Sequence, residues 1–159
     1  MYRRAMAHLY IRNNSVLNLL KLRMISTQPK NPQLFQYSSR TVVRAEKAMR
    51  CSPFQLHLFV CMGSTSVPIQ AIASNSGVQH NYTKRPLSEL AAENALVWLI
   101  QVGILRREVD GQGITDSFRL TPLGRQLVEK YEQNGAIIPA PSLLDRLSNT
   151  LTRWLRLPI

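Results

Sequence analysis

Seven residues between positions 84 and 119 have side chains suited to contact with a nucleic acid. Lys84, Arg85, Arg106, Arg107 and Arg119 carry the charge that phosphates attract, and Asn94 and Gln101 can pair a donor and an acceptor with a base edge. Catalytic patterns are missing. His8, His57 and His80 are isolated, and Cys51 and Cys61 stand ten positions apart, so no Cys-x-x-Cys or His-Glu-x-x-His spacing occurs. No phosphate-cradling loop, dinucleotide fingerprint or nucleophile elbow is present, and Gly111-Gln112-Gly113 reads as a hairpin turn. The acids are scattered, with no pair placed for proton transfer. The expectation is therefore no enzyme, no metal and no cofactor. His57, inside an apolar stretch, reads as a core histidine.

The chain that positions these residues has 159 positions, 45% of them hydrophobic, which suits one packed domain with appendages. Its apolar runs are far shorter than the ~20 residues of a membrane-crossing helix, so no integral membrane insertion is expected. The net charge of +11 points to a nucleic-acid partner, but it is unevenly spread. Residues 1–50 hold ten basic residues and one acid, Glu46, whereas residues 51–136 hold seven of each. Residues 1–37 read as a basic arm and linker. Three readings of its start fit: a transit-type segment, a basic amphipathic surface segment, or a disordered stretch upstream of a true start at Met24. A cytoplasmic address is expected, with organellar targeting by the arm left open.

From Ser38 the pattern becomes structured. Ser38 or Ser39 caps a helix to Met49, with Val42, Val43, Ala45 and Met49 on one face. Ser52-Pro53 reads as a cap and first-turn proline for an apolar, centrally buried helix that stops at Gly63. Val67-Pro68 is a short extended piece, followed by a helix with Ile69, Ile72 and Ala73 inward and Gly77 as its terminator. A polar stretch, Gln79 to Arg85, leads to a helix over Leu87–Val102 that buries Ala92, Leu96 and Leu99 and stops at Gly103. Arg106–Val109 and the strand bearing Phe118 and Leu120 form a hairpin, and Thr121-Pro122 opens a helix ending before Gly135. After Pro139 and Pro141, residues 136–159 form a linker and an amphipathic helix whose Leu143, Leu144, Leu147, Leu151, Trp154 and Leu155 face one way.

This order resembles a winged helix-turn-helix. Ile72-Ala73 with Gly77-Val78 looks like the first helix of the motif. Ala95 through Leu105 is similar to a recognition helix entering a wing strand. Phe118-Arg119-Leu120-Thr121-Pro122-Leu123-Gly124-Arg125 looks like the wing return in regulators of the MarR and PadR kinds. The resemblance covers roughly residues 53–134, within a winged-helix domain set at 38–135, and implies a mainly α fold with a small β-hairpin. The chain also resembles, more loosely, an uncharacterised family of short cyanobacterial proteins, which implies no activity.

The superfamily resemblance implies a DNA-binding protein and a transcription regulator acting on double-stranded DNA. Asn94 and Gln101 would probe base edges, and Lys84, Arg85, Arg106, Arg107 and Arg119 would hold phosphates. Two features depart from it. Gly77 and Gly103 are 26 positions apart, several more than the motif needs, and Glu89, Glu93, Asp110 and Asp116 would repel a phosphate backbone. The competing reading is a winged helix for protein–protein contact. Glu93, Val97 and Trp98 then form one contact face, and Leu147, Leu151 and Trp154 of the last helix supply an interface with a partner protein or a homodimer. That helix has two other readings: packing on its own domain, or lying on a membrane surface.

Overall fold

A computed structural model describes residues 36–155, so most of the basic arm at 1–37 and the last four residues lie outside the described part. Within it the chain is mainly helical with a small three-stranded antiparallel sheet. α1 (Ser39–Cys51) is capped by Ser38, whose hydroxyl accepts from the Thr41 N–H at 3.2 Å. It buries Ala45, Ala48 and Met49, while Val43, expected on that face, is exposed. Ser52 does not open the next helix. Its N–H and hydroxyl both turn back to the Met49 carbonyl and close α1. Phe54 is held extended by a bridge to Thr83, so α2 (Leu56–Ser64) starts only after it and runs through Gly63. Leu58, Phe59 and Met62 of α2 are fully buried, but His57 and Val60 are exposed, so the helix is buried on one side only.

β1 (Val67–Pro68) pairs with Phe118 and Ser117 at the sheet edge, where a proline costs no ladder hydrogen bond. The expected single helix after it is broken into α3 (Ile69–Ile72) and α4 (Ser74–Gln79), because Ser74 takes φ 55 and donates its N–H to the Leu87 carbonyl at 2.7 Å. Gly77 lies inside α4 and terminates nothing. Its role is close approach: a Cβ there would run into the Ile72 carbonyl oxygen, and its own carbonyl receives the N–H groups of Tyr82 and Thr83. The 79–86 stretch is thereby pinned rather than free, with His80 stacked on Tyr82 and Thr83 buried.

α5 (Glu89–Gln101) is capped by Ser88 and seats Ala92, Leu96 and Leu99 in the core with no exposure. Gly103, at φ +85, turns the chain into β2 (Leu105–Asp110), which pairs with β3 (Gly113–Leu120). The sheet order β1-β3-β2 places Phe118 and Leu120 inward. Thr121 then performs three tasks with one side chain. Its hydroxyl donates toward the Gly103 and Ile104 carbonyls and accepts from the Gly124 N–H, which fixes α6 (Pro122–Gln133) against the end of α5. α6 is tied to α1 by Lys130 and Tyr131, both bonded to Glu46. Burial first, and then the Glu46 carboxylate, push the Tyr131 phenol well above its usual pKa. The last element, α7 (Leu143–Leu155), opens with a reciprocal cap in which Ser142 and Asp145 satisfy each other's backbone N–H.

Candidate functional site

The cations expected to hold phosphates are set in different surroundings. Arg107 donates to Glu93 at 3.0 Å and to Asp116 at 2.8 Å, with its guanidinium 5.2 Å from the centre of the Phe118 ring. It therefore braces the hairpin against α5, and Glu93 is occupied by it rather than free for a partner. Arg119 turns to the Ser64 carbonyl at 2.8 Å and lies 3.8 Å from Glu108. Arg106 is half exposed, with Glu108 3.9 Å away. Asn94 and Gln101 are exposed on α5, and Val97 is half-buried. Lys84 and Arg85 are exposed in the loop before α5 and line a cleft with Arg50, Arg146 and Arg153. The seven residues thus divide between the hairpin, the α5 surface and this cleft.

Trp98 corrects the expected contact face. It is buried, and its indole N–H donates to the Asn149 side chain at 3.0 Å. What covers it is α7 of the same chain. Trp98 is consumed in an internal contact with α7 and borders a groove lined by α1 and α7.

α7 docks through its polar edge. Arg50 meets Asp145 at 3.4 Å, Lys47 reaches the Ser148 hydroxyl at 3.5 Å, and Arg153 donates to the Asn94 carbonyl at 3.0 Å. The apolar edge points outward: Leu143, Leu144 and Trp154 are 77–82% exposed, and Leu147, Leu151 and Leu155 are 51–60% exposed. The helix thus packs on its own domain, one of its readings, but through its polar edge and not through these leucines. The residues that receive α7, chiefly Lys47 and Arg50, escape sequence reasoning. The one available signal is that Ser148, Asn149 and Thr152 are short polar residues opposite the leucines, small enough to let two helices approach.

The Asp145 carboxyl anchors this contact and carries a pH dependence. Burial works to raise its pKa, but hydrogen bonding with Ser142 and the Arg50 and Lys47 charges outweigh that and hold it below the usual carboxylate value. A depressed pKa in the folded state stabilises docking above the unfolded value of ~3.9 and loses that contribution as pH falls through the depressed value. The α7 amides should therefore lose protection from hydrogen exchange in acid below about pH 4 while staying protected at neutral pH. Asp145→Asn should weaken protection at neutral pH and leave it little changed in acid, where the native carboxyl is already neutral, and equal protection of the native chain at both pH values would refute the anchor.

Other chemistry is limited. His57, expected in the core, is exposed, with its Nε2 3.7 Å from the Cys61 sulfur. Cys51 and Cys61 are free thiols; burial and the Asp145 charge push the Cys51 thiol up. Among the described residues, no three His, Cys, Asp or Glu side chains gather as a metal would need. No described helix is long and apolar enough to cross a membrane. A comparison with protein families matches residues 35–153 to one described as Npun_F0494-like. No curated protein and no solved structure matches the chain.

Proposed function

The chain belongs to the Npun_F0494-like family, and we propose that it is a winged-helix protein-interaction module that pairs with a second copy of itself through α7. The winged-helix reading is supported by the order of α1 to α6 and by β1 closing the hairpin on the β3 side. The interaction reading rests on one observation: a helix docked by its polar edge leaves six large apolar side chains in water. Contiguous apolar surface of that kind marks a contact site.

The pattern also selects the occupant. Leu143 and Leu155, Leu144 and Trp154, and Leu147 and Leu151 are each equidistant from Asn149. An antiparallel copy related by a twofold axis level with Asn149 therefore sets Leu147 against the second Leu151 and Leu144 against the second Trp154. The stripe complements itself, as an isologous interface requires. The 3-4-3 spacing of Leu144, Leu147, Leu151 and Trp154 is that of a coiled-coil seam. Sedimentation equilibrium of the full chain tests the reading. A two-chain mass at tens of micromolar protein supports it. A one-chain mass up to hundreds of micromolar, or association only with lipid vesicles, overturns it.

A second reading, DNA binding, is favoured by Asn94, Gln101, Lys84, Arg85 and Arg106, all exposed. It is weakened by the internal pairing of Arg107 and Arg119. If it holds, mobility-shift titration of the full chain gives a salt-sensitive complex with duplex DNA. Arg106→Ala then weakens that complex and lowers its salt slope by about one. A complex absent at moderate salt removes this reading.

A further inference from the structure

We propose that the cleft between the loop preceding α5, the connection to α7 and α7 itself binds a small amphipathic anion, one with an apolar body and a carboxylate, sulfonate or phosphate group. The cleft, open on one side, has a volume of about 930 Å³, within the roughly 300–1,000 Å³ usual for organic ligands. Five cations line it, Arg50 from the end of α1, Lys84 and Arg85 from the loop, and Arg146 and Arg153 from α7, and no carboxylate is among its lining residues. Arg50 is engaged by Asp145 and Arg153 by the Asn94 carbonyl. Among the described residues, Lys84, Arg85 and Arg146 have no ion-pair or hydrogen-bond partner for their side-chain charges.

Folding thus brings three uncompensated cations to one concave surface from two separate elements. An anion entering the cleft would meet the summed positive potential of these side chains. The same cleft carries apolar surface. Phe54 and Leu56 line it from the core side, and Ile137 and Ile138 from the connection, Ile137 being 71% exposed. A bare inorganic ion would leave that surface wet, whereas an apolar body would cover it. From α7 the cleft takes Arg146, Asn149, Thr150 and Arg153 and shares Trp154 with the proposed seam, but neither Leu147 nor Leu151 lines it.

Cys51 lines the cleft and Cys61 does not, which provides an internal reporter. The full chain is titrated with anilinonaphthalene sulfonate, an aromatic body bearing one anionic group, and the two thiols are alkylated with and without it. The expected result is saturable binding and slowed alkylation of Cys51 but not of Cys61. Lys84→Gln combined with Arg146→Gln should weaken the sulfonate at least tenfold and leave binding of uncharged phenylnaphthylamine unchanged. Leu147→Glu with Leu151→Glu should keep sulfonate binding. Unchanged affinity in the Lys84/Arg146 variant, unprotected Cys51, or loss of the dye in the Leu147/Leu151 variant overturns the inference. Protection of Cys51 by duplex DNA but not by the sulfonate also overturns it, in favour of nucleic acid.

Discussion

Replacing Leu147 and Leu151 together with glutamate is expected to turn a two-chain particle into a single chain while leaving the fold intact. Both side chains are more than half exposed in the isolated chain, so the substitutions remove no core contact. In the self-paired form each leucine is buried twice, once from each copy. Losing that burial costs about 1.5–3 kcal/mol per leucine side chain. Leaving carboxylates in an apolar seam adds a desolvation penalty of several kcal/mol. Association should weaken by at least about a thousandfold, or ~4 kcal/mol. Sedimentation equilibrium reads the mass, and an unchanged circular dichroism spectrum and melting temperature show that the monomer survives. A control on the docked edge, Thr152→Ala, should keep the two-chain mass. If the glutamate pair leaves the mass unchanged, α7 is not the seam.

The second large effect concerns the segment that leads into α5. Gly77→Ala is expected to destabilise the chain by about 3 kcal/mol or more, read as a lower urea midpoint with an unchanged slope. The obstacle to the new methyl is the Ile72 carbonyl oxygen, which is backbone and cannot rotate aside, with the buried Thr83 hydroxyl 2.9 Å away on another side. Relief requires opening the α3–α4 corner, and that corner holds Tyr82 and Thr83 through the Gly77 carbonyl. Gly111→Ala is the matched control. Nothing lies within 4 Å of a Cβ there, so its effect should stay within about 0.5 kcal/mol. Comparable losses at the two sites would mean that the close approach at Gly77 is not what the residue supplies.

Much of the helical framework is legible locally. Ala92, Leu96 and Leu99 share a stripe by helical spacing, and Thr121-Pro122 carries both a capping hydroxyl and a proline suited to a first turn. Ser52-Pro53 presents the same two features and behaves differently, because Phe54 pairs with Thr83, far away in sequence, and holds the chain extended. Gly77 reads as a helix terminator from its neighbours alone, whereas its requirement comes from a carbonyl folded over it. For the candidate contacts the difference is greater. In sequence Arg107 reads equally as a phosphate contact or as a surface partner of Glu108 or Asp116; the fold pairs it with Asp116 across the hairpin and with Glu93 of α5, which no local pattern announces.

The amino-acid sequence by itself determined that this protein has a basic arm, a nearly neutral helical domain and a terminal helix with one apolar side. Those properties are sums and spacings along the chain. The tertiary structure alone decided which side of that helix the domain takes. Helical periodicity states that two faces differ in polarity but not which neighbour each will find. Here Arg50, Lys47 and Trp98 offer partners for the polar side, and the leucines are left outward. The gathering of Lys84, Arg85 and Arg146 on one cleft is likewise a product of folding, because it joins a loop to a helix some sixty positions further along the chain.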